Sequence, residues 1–265
     1  MPLDRAATLR QAEKLLRQGK LELAIAEYVH LVDDQPHDWN TANLLGDLYI
    51  RAGQNDRAIE QYSRIADRLR REGFLPKATA LYKKILKLRP DSDHALIQAG
   101  ELAAEQGLLA DARSLLTAAA AARRAHGARK GALAAVVRLG ALDRHDVTAR
   151  MAGAHARHEL DDVPGALAEF TELAMMLVEE GRDHDALPPL REALALDPAN
   201  LRVNRELARI LVAEGRIADA AVHLTPDAVT GDPALMLLAV RVRLEQGDED
   251  TGFALFDELL ARDRH

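Results

Sequence analysis

Apolar residues recur along this chain three and four positions apart, the spacing that lines one face of a helix. Tyr62, Ile65, Ala66 and Leu69 make one such stripe, and Phe170, Leu173, Ala174 and Leu177 make a matching one later. Runs of β-branched residues, the mark of strands, are missing. The stripes are punctuated at a constant interval. Gly19, Ala24 and Tyr28 return as Gly73, Ala78 and Tyr82, then as Gly127, Ala132 and Val136, then as Gly181, Ala186 and Leu190, 54 residues apart each time. Pro36, Pro90, Arg144 and Pro198 follow them in the same phase. A second series runs between: Gly53, Ala58 and Tyr62, then Gly107, Ala112 and Leu116, then Asp161, Ala166 and Phe170, then Gly215, Ala220 and Leu224. The glycines therefore step alternately by 34 and 20 residues.

Self-similarity of this kind identifies an array of small helical units, each packing on its neighbours. Asp38, Ser92, Asp146 and Asn200 stand where helices should begin, and each carries an oxygen able to accept from a free backbone amide. The pattern predicts an all-α chain of about fifteen helices. They fall near 5–18, 21–33, 39–51, 56–71, 76–88, 93–106, 110–126, 130–142, 147–159, 163–180, 184–195, 201–213, 217–224, 233–246 and 250–262. Pro188 and Pro189 are expected in the first turn of a late-starting helix. The repeat decays after Leu224, Thr225 and Pro226. The expected organisation is one continuous solenoid over 1–265, with a repeat core at 5–225 and capping helices at 226–265.

The 34-residue step resembles the tetratricopeptide repeat. Residues 39–72 carry it best, with Leu45, Gly46, Tyr49, Gly53, Ala58 and Tyr62; residues 59–90 add Gly73, Ala78, Tyr82 and Pro90. The family's tryptophan near the start of its first helix is absent, Trp39 sitting slightly earlier. The 20-residue step is the larger departure, and it requires one helix, such as 56–71, to serve two successive pairs. The resemblance implies antiparallel helix pairs wound into a right-handed superhelix, a concave groove lined by the first helix of each pair, and a protein or peptide partner. Three groove positions recur: Asn40, His94, Thr148 and Arg202; Asn43, Ile97, Met151 and Arg205; Asp47, Glu101, His155 and Arg209. Arg202, Arg205 and Arg209 read either as a fork for carboxylates or as a solvated face paired with Glu206. Asn40, Asn43 and Asp47 read as donors and acceptors for a peptide backbone, or as solvated surface. The family's two-carboxylate clamp is lacking, since Leu9, Glu13 and Leu44 occupy its matching positions.

Charge adds a second candidate. The net charge is −7, yet residues 64–144 hold 16 basic and 8 acidic side chains, whereas residues 145–265 hold 12 basic and 24 acidic. The basic stretch contains Arg64, Arg68 and Arg71 on one helix face and Lys83, Lys84 and Lys87 roughly on another. These read as a solvated face or as a dock for an acidic protein segment; self-association of the basic middle with the acidic half is another outlet. Nucleic acid is not expected, because net charge is negative and no aromatics interleave for stacking. No apolar run reaches the ~20 residues of a membrane span.

Catalytic chemistry is not legible. Cysteine is absent, and the three serines, Ser63, Ser92 and Ser114, sit in no nucleophile elbow. His155 and His158, with Glu159 beside them, share a helix face but lack a third ligand at fixed spacing, so neither metal nor cofactor is expected. The expectation is a non-catalytic scaffold or adaptor, cytoplasmic and, from its Ala- and Arg-rich usage, bacterial. The alternative is a regulatory module that senses a nucleotide-bound switch protein or a small signalling ligand.

Overall fold

A computed structural model describes residues 4–262, and among them there are sixteen helices and no strand. In chain order they are α1 (Arg5–Arg17), α2 (Leu21–Asp34), α3 (Trp39–Arg51), α4 (Asn55–Arg71), α5 (Leu75–Leu88), α6 (Asp93–Glu105), α7 (Leu109–Ala125) and α8 (Arg129–Gly140). There follow α9 (Val147–Glu159), α10 (Val163–Glu179), α11 (Asp183–Leu196), α12 (Leu201–Ala213), α13 (Ile217–Ala220), α14 (Pro226–Val229), α15 (Pro233–Glu245) and α16 (Glu249–Arg262). They fall into two compact units, one ending at Asp143 and one beginning at Arg144.

All four predicted caps form. Side chains of Asp38, Ser92, Asp146 and Asn200 accept from the backbone N–H of Thr41, Ala95, Ala149 and Val203, so α3, α6, α9 and α12 each start with a satisfied donor. The opposite ends close on a left-handed residue, usually glycine. Asp161 takes that role with φ 66° where the other turns of its series use glycine. An aspartate tolerates this region but pays for its Cβ there. We therefore expect Asp161→Gly to raise the stability of the second unit by about 0.5–1 kcal/mol, read as a higher denaturation midpoint. A lower midpoint would refute it.

In the first unit, α4 packs on both α3 and α5, and α7 on both α6 and α8. These shared helices have 17 residues each, longer than their neighbours, and are buried on more than one side. The core runs through Tyr28, Leu48, Tyr62, Tyr82 and Leu102. Close approach of α3 to α4 depends on Gly46, whose missing side chain leaves room for the ring of Tyr62.

In the second unit, α10 lies between α9 and α11 in the same manner. Phe170, Leu173, Leu177, Leu190, Leu207 and Ile210 form its core. The buried Arg150 on α9 donates from Nε to Glu169 at 2.5 Å and from Nη1 to the carbonyl of Arg144 at 3.2 Å. A second cluster joins Ala208 of α12 to Leu224, Val229, Met236 and Ala239.

Two local expectations need correction. Pro188 and Pro189 lie in the second turn of α11, not the first, because that helix starts at Asp183. Their missing N–H groups free the carbonyls of His184 and Asp185, both exposed residues near the helix start. The helix expected at 217–224 ends at Ala220, and a separate short helix, α14, follows. Thr225 precedes a proline and is extended at φ −75° and ψ 150°, which α-helical continuation forbids.

Candidate functional site

The stripe of α3 and Lys84 of α5 meet across α4. Between them lies a groove of ≈ 480 Å³, floored by Ile65, Leu69 and Leu81 and walled by Trp39, Asn40, Asn43 and Lys84. The Lys84 ammonium donates to Asn43 Oδ1 at 3.0 Å and Asp47 Oδ1 at 2.8 Å, and sits 4.9 Å from the centroid of the Tyr62 ring. Asn43 Nδ2 donates to Asp47 Oδ2 at 3.4 Å, and the Tyr62 hydroxyl donates to Asp47 Oδ1. Burial, and after it the Asp47 acceptor and its charge, drives the Tyr62 hydroxyl pKa far upward, so it stays a donor. Asn40, three residues before Asn43, is exposed at the mouth.

The cations at this groove outweigh its acids. Burial pushes Asp38 up, but Thr41 hydrogen bonds and the Arg5 guanidinium more than offset it, holding that carboxyl below its usual range. Asp38 is paired by Arg5, and Asp47 by Lys84 at 2.8 Å. Lys77 lies 5.1 Å from the Phe74 ring centroid. Arg68 covers Trp39 at 5.6 Å from the ring centroid, contacts His37 Nδ1 at 3.0 Å and pairs with Glu72 at 3.3 Å.

The remaining predicted residues are not brought to this place. Arg64 donates to Gln61 Oε1 at 2.9 Å and lines a different hollow with Tyr49 and Arg57. Arg71 is exposed and donates to its own helix, to the carbonyl of Asp67 at 3.2 Å. The three arginines thus diverge, and only Arg68 comes near the groove, lying over Trp39 of its wall. Lys83 and Lys87 are exposed, while Lys84, about 100° further round the helix than Lys83, turns inward.

The recurrent groove positions do not form an open stripe either. Ile97 is buried, and Glu101 accepts from Arg70 at 2.9 Å and Arg138 at 2.8 Å. His155 rests edge-on against Phe170, 5.1 Å between centroids. Arg205 donates to the carbonyls of Ala228 at 2.7 Å and Thr230 at 2.9 Å, closing the end of α14. Arg209 holds Asp183 at 3.2 Å and Glu206 at 2.9 Å. Of the expected carboxylate fork, only Arg202 is exposed. Most of these recurrent positions are thus taken up by partners on other helices of their own unit.

Arg70 and Arg150 were missed by sequence reading. Arg70 binds Gln98 at 2.6 Å as well as Glu101 and Glu105, and the signal for it was two acids one turn apart on α6. Nothing in sequence marks Arg150, which stands in phase with Ala42, Leu96 and Asn204.

Stacked helix pairs with shared helices and a walled groove define a helical-repeat protein of the interaction type. Tetratricopeptide repeat models match residues 9–69, 63–128 and 177–226, well over half of the chain, and the chain belongs to that family. Such repeats are in general non-catalytic modules that bind protein or peptide partners. Among solved structures, the chain is similar to a MamA RS-1 ArsTM double mutant, 17% identical, covering 78% of this chain and 94% of that one at a TM-score of 0.29. It is similar to YrrB, described as a TPR protein with an unusual peptide-binding site, at 18% identity, 78% and 91% coverage and a TM-score of 0.27. It is also similar to Pseudomonas aeruginosa pilF, at 16% identity, 95% and 88% coverage and a TM-score of 0.28. No curated protein matches the chain at a significant level. Among the described residues, no helix is long and apolar enough to cross a membrane.

Proposed function

We propose that this protein is a non-catalytic scaffold that holds an extended, acidic segment of a protein partner in the groove between α3 and α5. The observation that carries this reading is the convergence of Asn40, Asn43 and Lys84 over an apolar floor of Ile65, Leu69 and Leu81. Apolar floors supply affinity, and a few placed polar groups set orientation. Lys77 favours carboxylates, Lys84 keeps one ammonium donor beyond those it gives Asn43 and Asp47, and the Asn40 amide can pair with a peptide backbone. We propose too that the working repeat is a 54-residue, three-helix unit, and that its phase runs through both units as one array. The caps at Asp38, Ser92, Asp146 and Asn200, and the shared helices α4, α7 and α10, support this.

Trp39 is the single tryptophan of the chain and lines this groove, so its emission reports occupancy directly. Titrating a library of extended acidic peptides should yield a binder that shifts Trp39 emission. Asn40→Ala and Lys84→Glu should each weaken that binder about tenfold or more. A binder whose affinity ignores both changes, or acidic peptides that leave the emission unmoved, would sink the proposal.

A further inference from the structure

A second hollow, of ≈ 340 Å³, lies between α2, α3 and α4 and shares no lining residue with the groove between α3 and α5. That volume falls near the lower end of the ~300–1,000 Å³ typical of small-molecule sites. Val32 and Leu45 give it an apolar lining. Beside them stands Tyr49, only 9% exposed, with the Arg57 guanidinium 5.8 Å from its ring centroid. The Tyr62 and Tyr82 hydroxyls are spent on Asp47 and Asp67. The Tyr49 hydroxyl has no hydrogen-bond partner among the described residues. Buried polar groups ordinarily have one, so a ligand atom in the hollow would complete it.

Both signs of charge border this space, and they do not neutralise each other. Arg57 donates to Gln54 Oε1 at 3.1 Å and Arg64 to Gln61 Oε1 at 2.9 Å, both uncharged acceptors. Asp33 and Glu60 line the same hollow and form no ion pair among the described residues. Glu60 precedes Arg64 by four residues, the spacing at which opposite charges on a helix ordinarily pair. Here they stay apart. A ligand of one sign would gain two partners and meet two like charges, whereas a ligand bearing both signs satisfies all four. We propose that this hollow binds a small zwitterion of the amino-acid class. Its carboxylate takes the free donors of Arg57, Arg64 and the Tyr49 hydroxyl, and its ammonium meets Asp33 and Glu60. An apolar side chain then lies on Val32 and Leu45.

The test is calorimetric titration of the full chain with L-leucine, with the amide signals of α2, α3 and α4 followed in parallel. L-leucine should bind at one site per chain. Isocaproate, which lacks the ammonium, and isoamylamine, which lacks the carboxylate, should each bind about tenfold more weakly or worse. Tyr49→Phe, Arg64→Gln and Glu60→Gln should each weaken L-leucine about tenfold. Tyr49→Phe keeps the ring and the other two positions are exposed, so the fold should survive, as circular dichroism would verify. Asn40→Ala, which alters the other groove, should leave L-leucine binding unchanged, so failure at either site leaves the other standing. If L-leucine, L-valine and L-phenylalanine all give neither heat nor signal shifts, the inference is overturned. Binding that ignores Tyr49→Phe and Arg64→Gln overturns it too. So does isocaproate bound as tightly as L-leucine, since Asp33 and Glu60 would then have no role.

Discussion

Tyr62→Ala should cost the first unit about 3–5 kcal/mol, the largest effect expected of any substitution in the groove wall. The Tyr62 side chain is fully buried between α3 and α4, with its ring below the Lys84 ammonium and its hydroxyl on Asp47. Truncation removes the ring from the core, opens a cavity against Gly46, and strips Asp47 of a donor. The hydroxyl by itself is worth less. Tyr62→Phe should cost only about 1 kcal/mol, because Lys84 and Asn43 still donate to the Asp47 carboxylate. Repeat arrays can unfold in parts, so hydrogen exchange of α3 and α4 is the appropriate reading beside a denaturant midpoint. A cost below that of Tyr62→Phe would show that the ring is not the keystone of this contact.

Gly46→Ala should be destabilising by up to about 2 kcal/mol, against the ordinary sign. In an exposed helix interior the same change stabilises by about 0.8–1 kcal/mol. Here an added Cβ would lie 2.8 Å from Cζ of Tyr62 and closer still to Cε1. The ring cannot withdraw, being enclosed on its other sides, so overpacking of about 1–3 kcal/mol outweighs the helical gain. The explanation makes a sharper demand. In a Tyr62→Ala background the clash is gone, and Gly46→Ala should become neutral or stabilising. Additive effects of the two changes would mean that Gly46 is there for another reason. Displacing Tyr62 should also loosen Asp47 and Lys84, so Gly46→Ala should weaken peptide binding along with stability.

Much of the helical order was legible because it rests on local rules. Caps and glycine turns act within a few residues, so Asp38, Ser92, Asp146 and Asn200 announced α3, α6, α9 and α12 without any tertiary information. Asp161 announced a turn by its place in the glycine series and adopts the left-handed backbone there. Stripes such as Tyr62, Ile65, Ala66 and Leu69 told which residues are buried, since helical geometry alone puts them on one face.

Side-chain partners were another matter. Arg64, Arg68 and Arg71 share a charge but not a destination, because each meets a different neighbour: Gln61, His37 with Glu72, and a carbonyl of its own helix. Arg205 and Arg209 read as a carboxylate fork or as a face paired with Glu206; Arg209 does hold Glu206, but the carbonyls of Ala228 and Thr230 and the carboxylate of Asp183, more than twenty residues away, could not be read. Lys84 was grouped with Lys83 and Lys87, and the structure instead joins it to Asn43 and Asp47, about forty residues earlier in the chain. By itself the sequence determined where most helices begin and end and which faces they bury, the stretch of α13 and α14 excepted, since those depend on backbone satisfaction and periodicity. Only tertiary structure decided which charges are spent inside the fold and which remain for a partner, because a long side chain is assigned by what packs beside it.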